Sequence, residues 1–171
     1  MTANEIENLV LKYGDDLYRF CCHLTLGRDM ADELYQETFL KAVQLSHKLD
    51  EGGNPKSYLM GIAANLWKNY IHKKARRHSI APQVELEETL SEEKNDILDD
   101  IMEKEILLEM KKSLCKLSEK YRMVFILFYA EEQSIEEIGK LLRIPKGTVK
   151  SRLSKAREIM RKEMEAKGYE L

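Results

Sequence analysis

The stretch Ser134-Ile135-Glu136-Glu137-Ile138-Gly139-Lys140-Leu141-Leu142-Arg143-Ile144-Pro145-Lys146-Gly147-Thr148-Val149-Lys150-Ser151-Arg152-Leu153 holds the clearest structural signal in this chain. Ser134 can cap a short helix in which Ile135, Ile138, Leu141 and Leu142 recur at helical spacing. Arg143-Ile144-Pro145 reads as a turn, because proline lacks an N–H and tolerates only the start of a helix. A longer helix is predicted to begin near Lys146. Gly139 supplies the small residue needed where two helices cross closely, and Ile144, Val149 and Leu153 face the same small core. This order of small and apolar positions is the pattern of a helix-turn-helix.

The longer helix divides by face. Val149, Leu153, Ala156 and Met160 are predicted to point inward, while Lys150, Ser151, Ser154 and Lys155 share an outward face. Such a face can enter a major groove, with lysine donating to guanine edges and serine adapting to either base. Arg152, Arg157, Arg161 and Lys162 flank it and suit phosphates, which add affinity without sequence information. A basic terminal helix can be merely a solvated face; behind a helix-turn-helix, DNA contact is the better reading.

Upstream, Val124, Phe125, Leu127, Phe128 and Tyr129 mark a further helix. Before it, Ile106, Leu107, Met110, Leu114 and Leu117 mark another, with helical periodicity starting at Ile101. Residues 79–103 carry nine acids against one lysine, a net charge of −8, and little periodicity. They read as an exposed acidic tether. Residues 1–78 carry +1 and residues 104–171 carry +5, so charge is sorted along a chain whose total is only −2. An overall acidic balance therefore does not argue against nucleic-acid binding.

The N-terminal part opens on Thr2-x-x-Glu5, a candidate capping box. Ile6, Leu9, Val10, Tyr13, Leu17, Phe20, Cys21 and Leu24 follow at helical spacing, and Gly27 breaks the run. Asp29 can cap a second helix carrying Leu34, Tyr35, Thr38, Ala42 and Leu45. Asp50-Glu51-Gly52-Gly53-Asn54-Pro55 is a loop by its turn chemistry. Beyond it, Leu59, Ile62, Ala63, Leu66 and Tyr70 line one face of a long helix to about Arg77, with Ala64, Asn65, Lys68, His72 and Arg76 opposite.

The expected fold is all-α: two small helical domains, 1–78 and 104–171, joined by an acidic flexible linker over 79–103. There is no internal repeat and no convincing strand. Cys21, Cys22 and Cys115 have neither metal-ligand nor disulfide spacing, and Cys21 reads as a small buried hydrophobe. His23, His47, His72 and His78 form no ligand cluster, and no nucleophile motif or Gly-rich phosphate loop is present. No cofactor or metal is expected. No apolar run approaches a membrane span and no signal-peptide pattern opens the chain, so a cytoplasmic protein without membrane insertion is expected.

The 134–153 phrase closely resembles region 4.2 of bacterial sigma factors, above all the extracytoplasmic-function class of the sigma-70 family. Response-regulator DNA-binding domains share a looser version of it. The N-terminal half adds two more matches in order. Asp29-Met30-Ala31-Asp32-Glu33-Leu34-Tyr35-Gln36-Glu37-Thr38-Phe39-Leu40-Lys41-Ala42 resembles region 2.2, and Asn54-Pro55-Lys56-Ser57-Tyr58-Leu59-Met60-Gly61-Ile62-Ala63-Ala64-Asn65-Leu66 resembles regions 2.3 and 2.4. Counterparts of regions 1.1 and 3 have no room, as in the smallest members of the family.

The resemblance implies three surfaces. Gln36 and Glu37, with Asp32, Glu33 and Phe39 beside them, would dock on the coiled coil of the polymerase β′ subunit, and the region 4-like domain would meet the β flap. Gly52, Gly53, Asn54, Lys56 and Ser57, with Asn65 nearby, would capture an unstacked base of the −10 element. Tyr58, Trp67 and Tyr70 are candidates to stack on opened bases, although Tyr70 falls on the apolar face and reads better as core. Lys68, Lys73, Lys74, Arg76 and Arg77 would hold backbone phosphates. Lys146, Thr148, Lys150, Ser151, Arg152, Ser154, Lys155 and Arg157 would contact the −35 element. An anti-sigma factor is a further implied partner.

Several positions depart from the family pattern. Tyr58 stands where the family usually has Trp, and Ala64 and His72 where it has Arg. Leu117-Ser118 replaces a common Leu-Pro, and Lys155 replaces an Arg whose bidentate fork a lysine cannot copy. Two readings from other classes compete. A stand-alone helix-turn-helix regulator with an N-terminal sensor or dimerisation domain would bind promoter DNA tightly without polymerase. A DNA-processing enzyme would cleave or join strands alone, and it lacks a recognisable catalytic set here.

Overall fold

The computed structural model describes residues 2–46, 53–80 and 101–170, and among these the chain forms seven helices and no strand. It separates into two compact units, Met1–Leu90 and Ser91–Leu171. Gly52 and residues 81–100 of the expected tether lie outside the described residues.

In the N-terminal unit, helix α1 spans Ala3–Thr25, α2 Arg28–Gln44 and α3 Pro55–Ile80, and each packs on the other two. Thr2 and Glu5 form the capping box that their spacing predicts: Glu5 N–H donates to Thr2 Oγ1 at 3.3 Å, and Thr2 N–H to Glu5 Oε2 at 2.7 Å. Leu17, Phe20, Cys21 and Leu24 of α1 are all but fully buried. Burial pushes the Cys21 thiol up to about 12, so it stays protonated and serves as packing. At Gly14 a side chain would meet Tyr35 Oη within 2.9 Å, so its absence lets α2 approach closely.

Three expectations for this unit need correction. Asp29 does not cap α2; the helix starts two residues earlier than that cap implies, at Arg28, Gly27 is its cap without a side-chain bond, and Asp29 lies in the first turn. There a carboxylate still favours the helix dipole. Ala64, assigned to the solvent face of α3, is 1 % exposed, and the buried set there is Leu59, Met60, Ile62, Ala63, Ala64 and Trp67. Tyr70, read as core, is 39 % exposed. The cause is shared: the buried stripe is centred on Met60, Ala63, Ala64 and Trp67, rotated from the one that apolarity suggested. Beyond Trp67 all side chains described to Arg77 are exposed except half-buried Ile71.

In the C-terminal unit, α4 spans Ile101–Lys116, α5 Glu119–Tyr129, α6 Ile135–Leu142 and α7 Lys146–Ala166. Helix α7 packs on the other three and is the centre of the unit. Val124, Leu127, Ile138, Val149, Leu153, Ala156 and Met164 are essentially inaccessible. Leu107, placed in the apolar set of α4, is exposed, because α4 turns its Ser113 face to α7 instead. Ser113 Oγ lies 3.6 Å from Met164 Sδ and accepts from Lys167 Nζ at 3.2 Å. Lys167 also pairs with Glu109, and Lys116 with Glu163, tying α4 to the end of α7. Arg122 is a buried cation, paired with Glu119.

The helix-turn-helix is built as the sequence predicts. Ser134 caps α6, and Glu137 completes a capping box with it. Arg143 ends α6 in the left-handed region at φ 56°, and Pro145 caps α7. A Cβ on Gly139 would lie 3.0 Å from the carbonyl oxygen of Ile144, so a larger residue there would press the turn away from α6 by a few tenths of an ångström.

Candidate nucleic-acid interface

Helix α7 carries the candidate reading face. Its inward stripe of Val149, Leu153, Ala156, Met160 and Met164 recurs at three- and four-residue intervals, which fixes its rotation. Lys150, Ser151, Ser154 and Lys155 are then forced outward, and all four are exposed. Ser151 Oγ donates to Thr148 O at 3.1 Å, a local bond that solvent or a base edge can replace. Thr148 and Arg152 are half-buried.

Several of these cations already have partners. Lys146 pairs with Glu136 across the turn. Lys155 lies 3.5 Å from Glu158, which also binds Lys162 at 3.0 Å. The hydrogen bond from Lys162, then the charge of Lys155, holds the Glu158 carboxyl below its ordinary range. Glu158 was missed by the sequence reading, though its place three residues after Lys155 and four after Ser154 was a signal. Arg157 donates from Nε to Tyr129 Oη at 2.6 Å, with its guanidinium 5.4 Å from the Phe128 ring centre. The exposed lysine–glutamate pairs are weak and exchange readily for phosphate.

On the N-terminal unit, α2 buries Ala31, Leu34, Thr38 and Ala42 and so turns Asp32, Glu33, Gln36 and Glu37 to solvent. Thr38 satisfies its buried hydroxyl by donating to Leu34 O at 2.6 Å. Tyr18 Oη donates to Asp32 Oδ1 at 2.6 Å, and this bond, with burial, raises the tyrosine's pKa. Phe39 is half-buried, edge-on to Tyr35 at 5.1 Å between ring centres. Exposed Leu40 and Val43 extend the surface with apolar area.

The start of α3 is anchored more firmly than its loop composition suggests. Asn54 Oδ1 accepts from the N–H groups of Lys56 and Ser57 at 3.1 and 3.5 Å, capping the helix with Pro55 in its first turn. Lys56 Nζ lies 3.1 Å from Asp16 Oδ2 on α1, and that contact keeps the Asp16 carboxyl below its ordinary range. Tyr58 Oη donates to the carbonyl of Leu45 at 3.2 Å. Gly53 and Asn54 are exposed, Lys56, Ser57 and Tyr58 are half-buried, and Gly52 lies outside the described residues.

Along α3, Asn65, Lys68, Lys73, Lys74, Arg76 and Arg77 are all exposed. Of the stacking candidates, Trp67 is 4 % exposed and belongs to the core. Tyr70 covers it with stacked rings, 5.2 Å between centres and 19° between planes, and presents its other side to solvent. Among the described residues no group of His, Cys, Asp or Glu converges as metal ligands would. No helix among them is long and apolar enough to cross a membrane.

Comparison with known proteins matches both units. Residues 9–77 fit the family model for sigma-70 region 2, and residues 107–160 that for sigma-70 region 4. The ECF RNA polymerase sigma factor SigW of Bacillus subtilis is 30 % identical over 158 residues, covering 89 % of this chain and 84 % of SigW. The B. subtilis ECF sigma factor SigM is 27 % identical over 92 % of each chain. The sigma factor RpoE of Bartonella quintana, crystallised with the anti-sigma factor NepR, superposes with a TM-score of 0.80 at 25 % identity. That match covers 95 % of this chain and 98 % of RpoE.

Proposed function

The chain belongs to the extracytoplasmic-function sigma factors of RNA polymerase, which direct promoter-specific transcription, and from that membership we propose how its surfaces divide the work. The region 4 unit, residues 104–171, reads the −35 element through Lys150, Ser151, Ser154 and Lys155, with Lys146, Thr148, Arg152 and Arg157 at the flanks. The observation that carries this is the split of α7 into a fully buried stripe and an exposed polar face.

The region 2 unit, residues 1–78, docks core polymerase through the exposed α2 face of Asp32, Glu33, Gln36 and Glu37, with Phe39 beside it. The anchored turn at Gly53–Ser57 takes an unstacked −10 base, with Tyr58 as a wall and Asn65 one face over. Tyr70 is the ring available for an opened base, and Lys68, Lys73, Lys74, Arg76 and Arg77 track the backbone. Two DNA contacts on one chain make the second intramolecular and so multiply affinity. The −8 charge of residues 79–103 opposes binding to DNA away from polymerase.

The chain performs no chemistry of its own; polymerase supplies the active site, and the work takes place in the cytoplasm. A partner analogous to NepR would silence it by covering the α2 and α7 faces.

Run-off transcription with core polymerase over native chromosomal fragments tests the reading. Addition of the chain is expected to create new start sites. Their absence on every fragment, or tight specific promoter binding without polymerase, favours a stand-alone regulator instead. On a promoter found this way, Lys155→Ala is expected to cost about 1–3 kcal/mol at the native −35 sequence and little on a scrambled one. Equal loss on both makes Lys155 a phosphate contact.

A further inference from the structure

We propose that Tyr129 and Arg157 form a phosphate-binding subsite beside the recognition face, in which the Tyr129 hydroxyl positions the guanidinium for a backbone phosphate of bound DNA. The inference rests on the DNA-reading role of α7 proposed above.

Tyr129 closes α5, and the apolar run before it suggests a core residue. It is instead 49 % exposed, while Met123, Val124, Ile126 and Leu127 before it are buried. Its hydroxyl accepts from Arg157 Nε at 2.6 Å. The guanidinium carbon lies 5.7 Å from the Tyr129 ring centre and 5.4 Å from that of Phe128. Two cation–π contacts and one hydrogen bond thus hold an otherwise flexible side chain. A phosphate then binds a fork whose rotamer freedom is already spent.

The bond uses Nε alone and leaves both terminal amino groups to donate, the geometry in which arginine grips phosphate bidentately. The hydroxyl that accepts from Nε keeps its own proton to donate. Charge supports the same use. Among the described residues the partners of Arg157 are aromatic rings and a hydroxyl, while the adjacent Glu158 is engaged by Lys155 and Lys162. The positive charge of Arg157 is therefore left for an external anion. Arg157 also lies one helical turn from Ser154, where backbone flanks a base-reading face.

The test is a double-mutant cycle on holoenzyme reconstituted from the full chain, titrated with the promoter fragment that run-off transcription identifies. Tyr129→Phe keeps the ring and removes the hydroxyl. It is expected to weaken binding about three- to tenfold, equally on native and scrambled −35 sequences. Arg157→Ala is expected to reduce the slope of log K against log salt by about one. Adding Tyr129→Phe to Arg157→Ala should cause no further loss. Arg157→Lys should keep the slope but lose sensitivity to Tyr129→Phe, a result that a purely structural role does not produce. Thermal unfolding of each variant controls for folding. Additive losses, an unchanged salt slope, or a loss confined to core polymerase affinity overturns the subsite while leaving the sigma-factor reading intact. If wild-type holoenzyme finds no promoter, that reading fails first.

Discussion

Replacing Trp67 by alanine is expected to destabilise the N-terminal unit by about 3–5 kcal/mol. The ring is 4 % exposed in the stripe of α3 that meets α1 and α2, and its removal leaves a cavity that fixed helices cannot refill. Hydrogen exchange resolved by mass spectrometry checks this on the full chain. Protection should fall across residues 3–44 and 55–77, with little change across 104–166. Tyr70→Ala is the contrast, because Tyr70 stacks on the outer side of the same indole and is 39 % exposed. It should cost only about 0.5–1.5 kcal/mol of stability, yet slow promoter opening measured by permanganate reactivity of unpaired thymines. Equal stability losses for the two variants, or unaltered opening with Tyr70→Ala, would show that the division between packing ring and stacking ring is wrong.

Leu153→Ala is expected to remove about 2–5 kcal/mol from the C-terminal unit. Leu153 is 1 % exposed and sits between Val149 and Ala156 on the stripe that holds α7 against α5 and α6. A domain of this size commonly has only about 4–12 kcal/mol in total, so binding at the −35 element should fail with folding. Its neighbour Ser154 is exposed, and Ser154→Ala should leave stability within about 0.5 kcal/mol while altering −35 preference. Denaturant titration followed by circular dichroism, beside a −35 binding assay, separates them. A stable Leu153→Ala variant, or an unstable Ser154→Ala variant, contradicts the assigned rotation of α7.

The helix-turn-helix was legible because its signals are local. A cap at Ser134, a glycine at Gly139, a proline at Pro145 and an apolar stripe at three- and four-residue intervals lie within one short stretch. Each acts over a single turn of helix, so spacing along the chain reports spacing in the fold. The exposed reading face of Lys150, Ser151, Ser154 and Lys155 followed from that stripe alone.

Helix α3 was harder. Apolar residues lie on more than one of its faces. Leu59, Ile62 and Ala63 of the expected stripe are buried, but hydropathy could not tell that Met60, Ala64 and Trp67 complete the buried set in place of Leu66 and Tyr70. Which residues are covered depends on where α1 and α2 lie and where their cover ends, and that is a non-local fact. The partners of the site residues were hidden for the same reason. Asp16 holds Lys56 from forty residues away in sequence, and Tyr129 holds Arg157 across twenty-eight.

Sequence pattern was therefore sufficient for the all-helical class, the order of the two modules, and the solvent-exposed polar side of α7. These follow from capping, breakers and helical periodicity, which are properties of neighbouring residues. Packing settled which ring of the Trp67–Tyr70 pair is core. It also showed that Asn54, Lys56 and Tyr58 are tied into the fold, and that Arg157 rests on Tyr129. Burial and side-chain pairing are created only when distant helices meet, so no local pattern could have carried them.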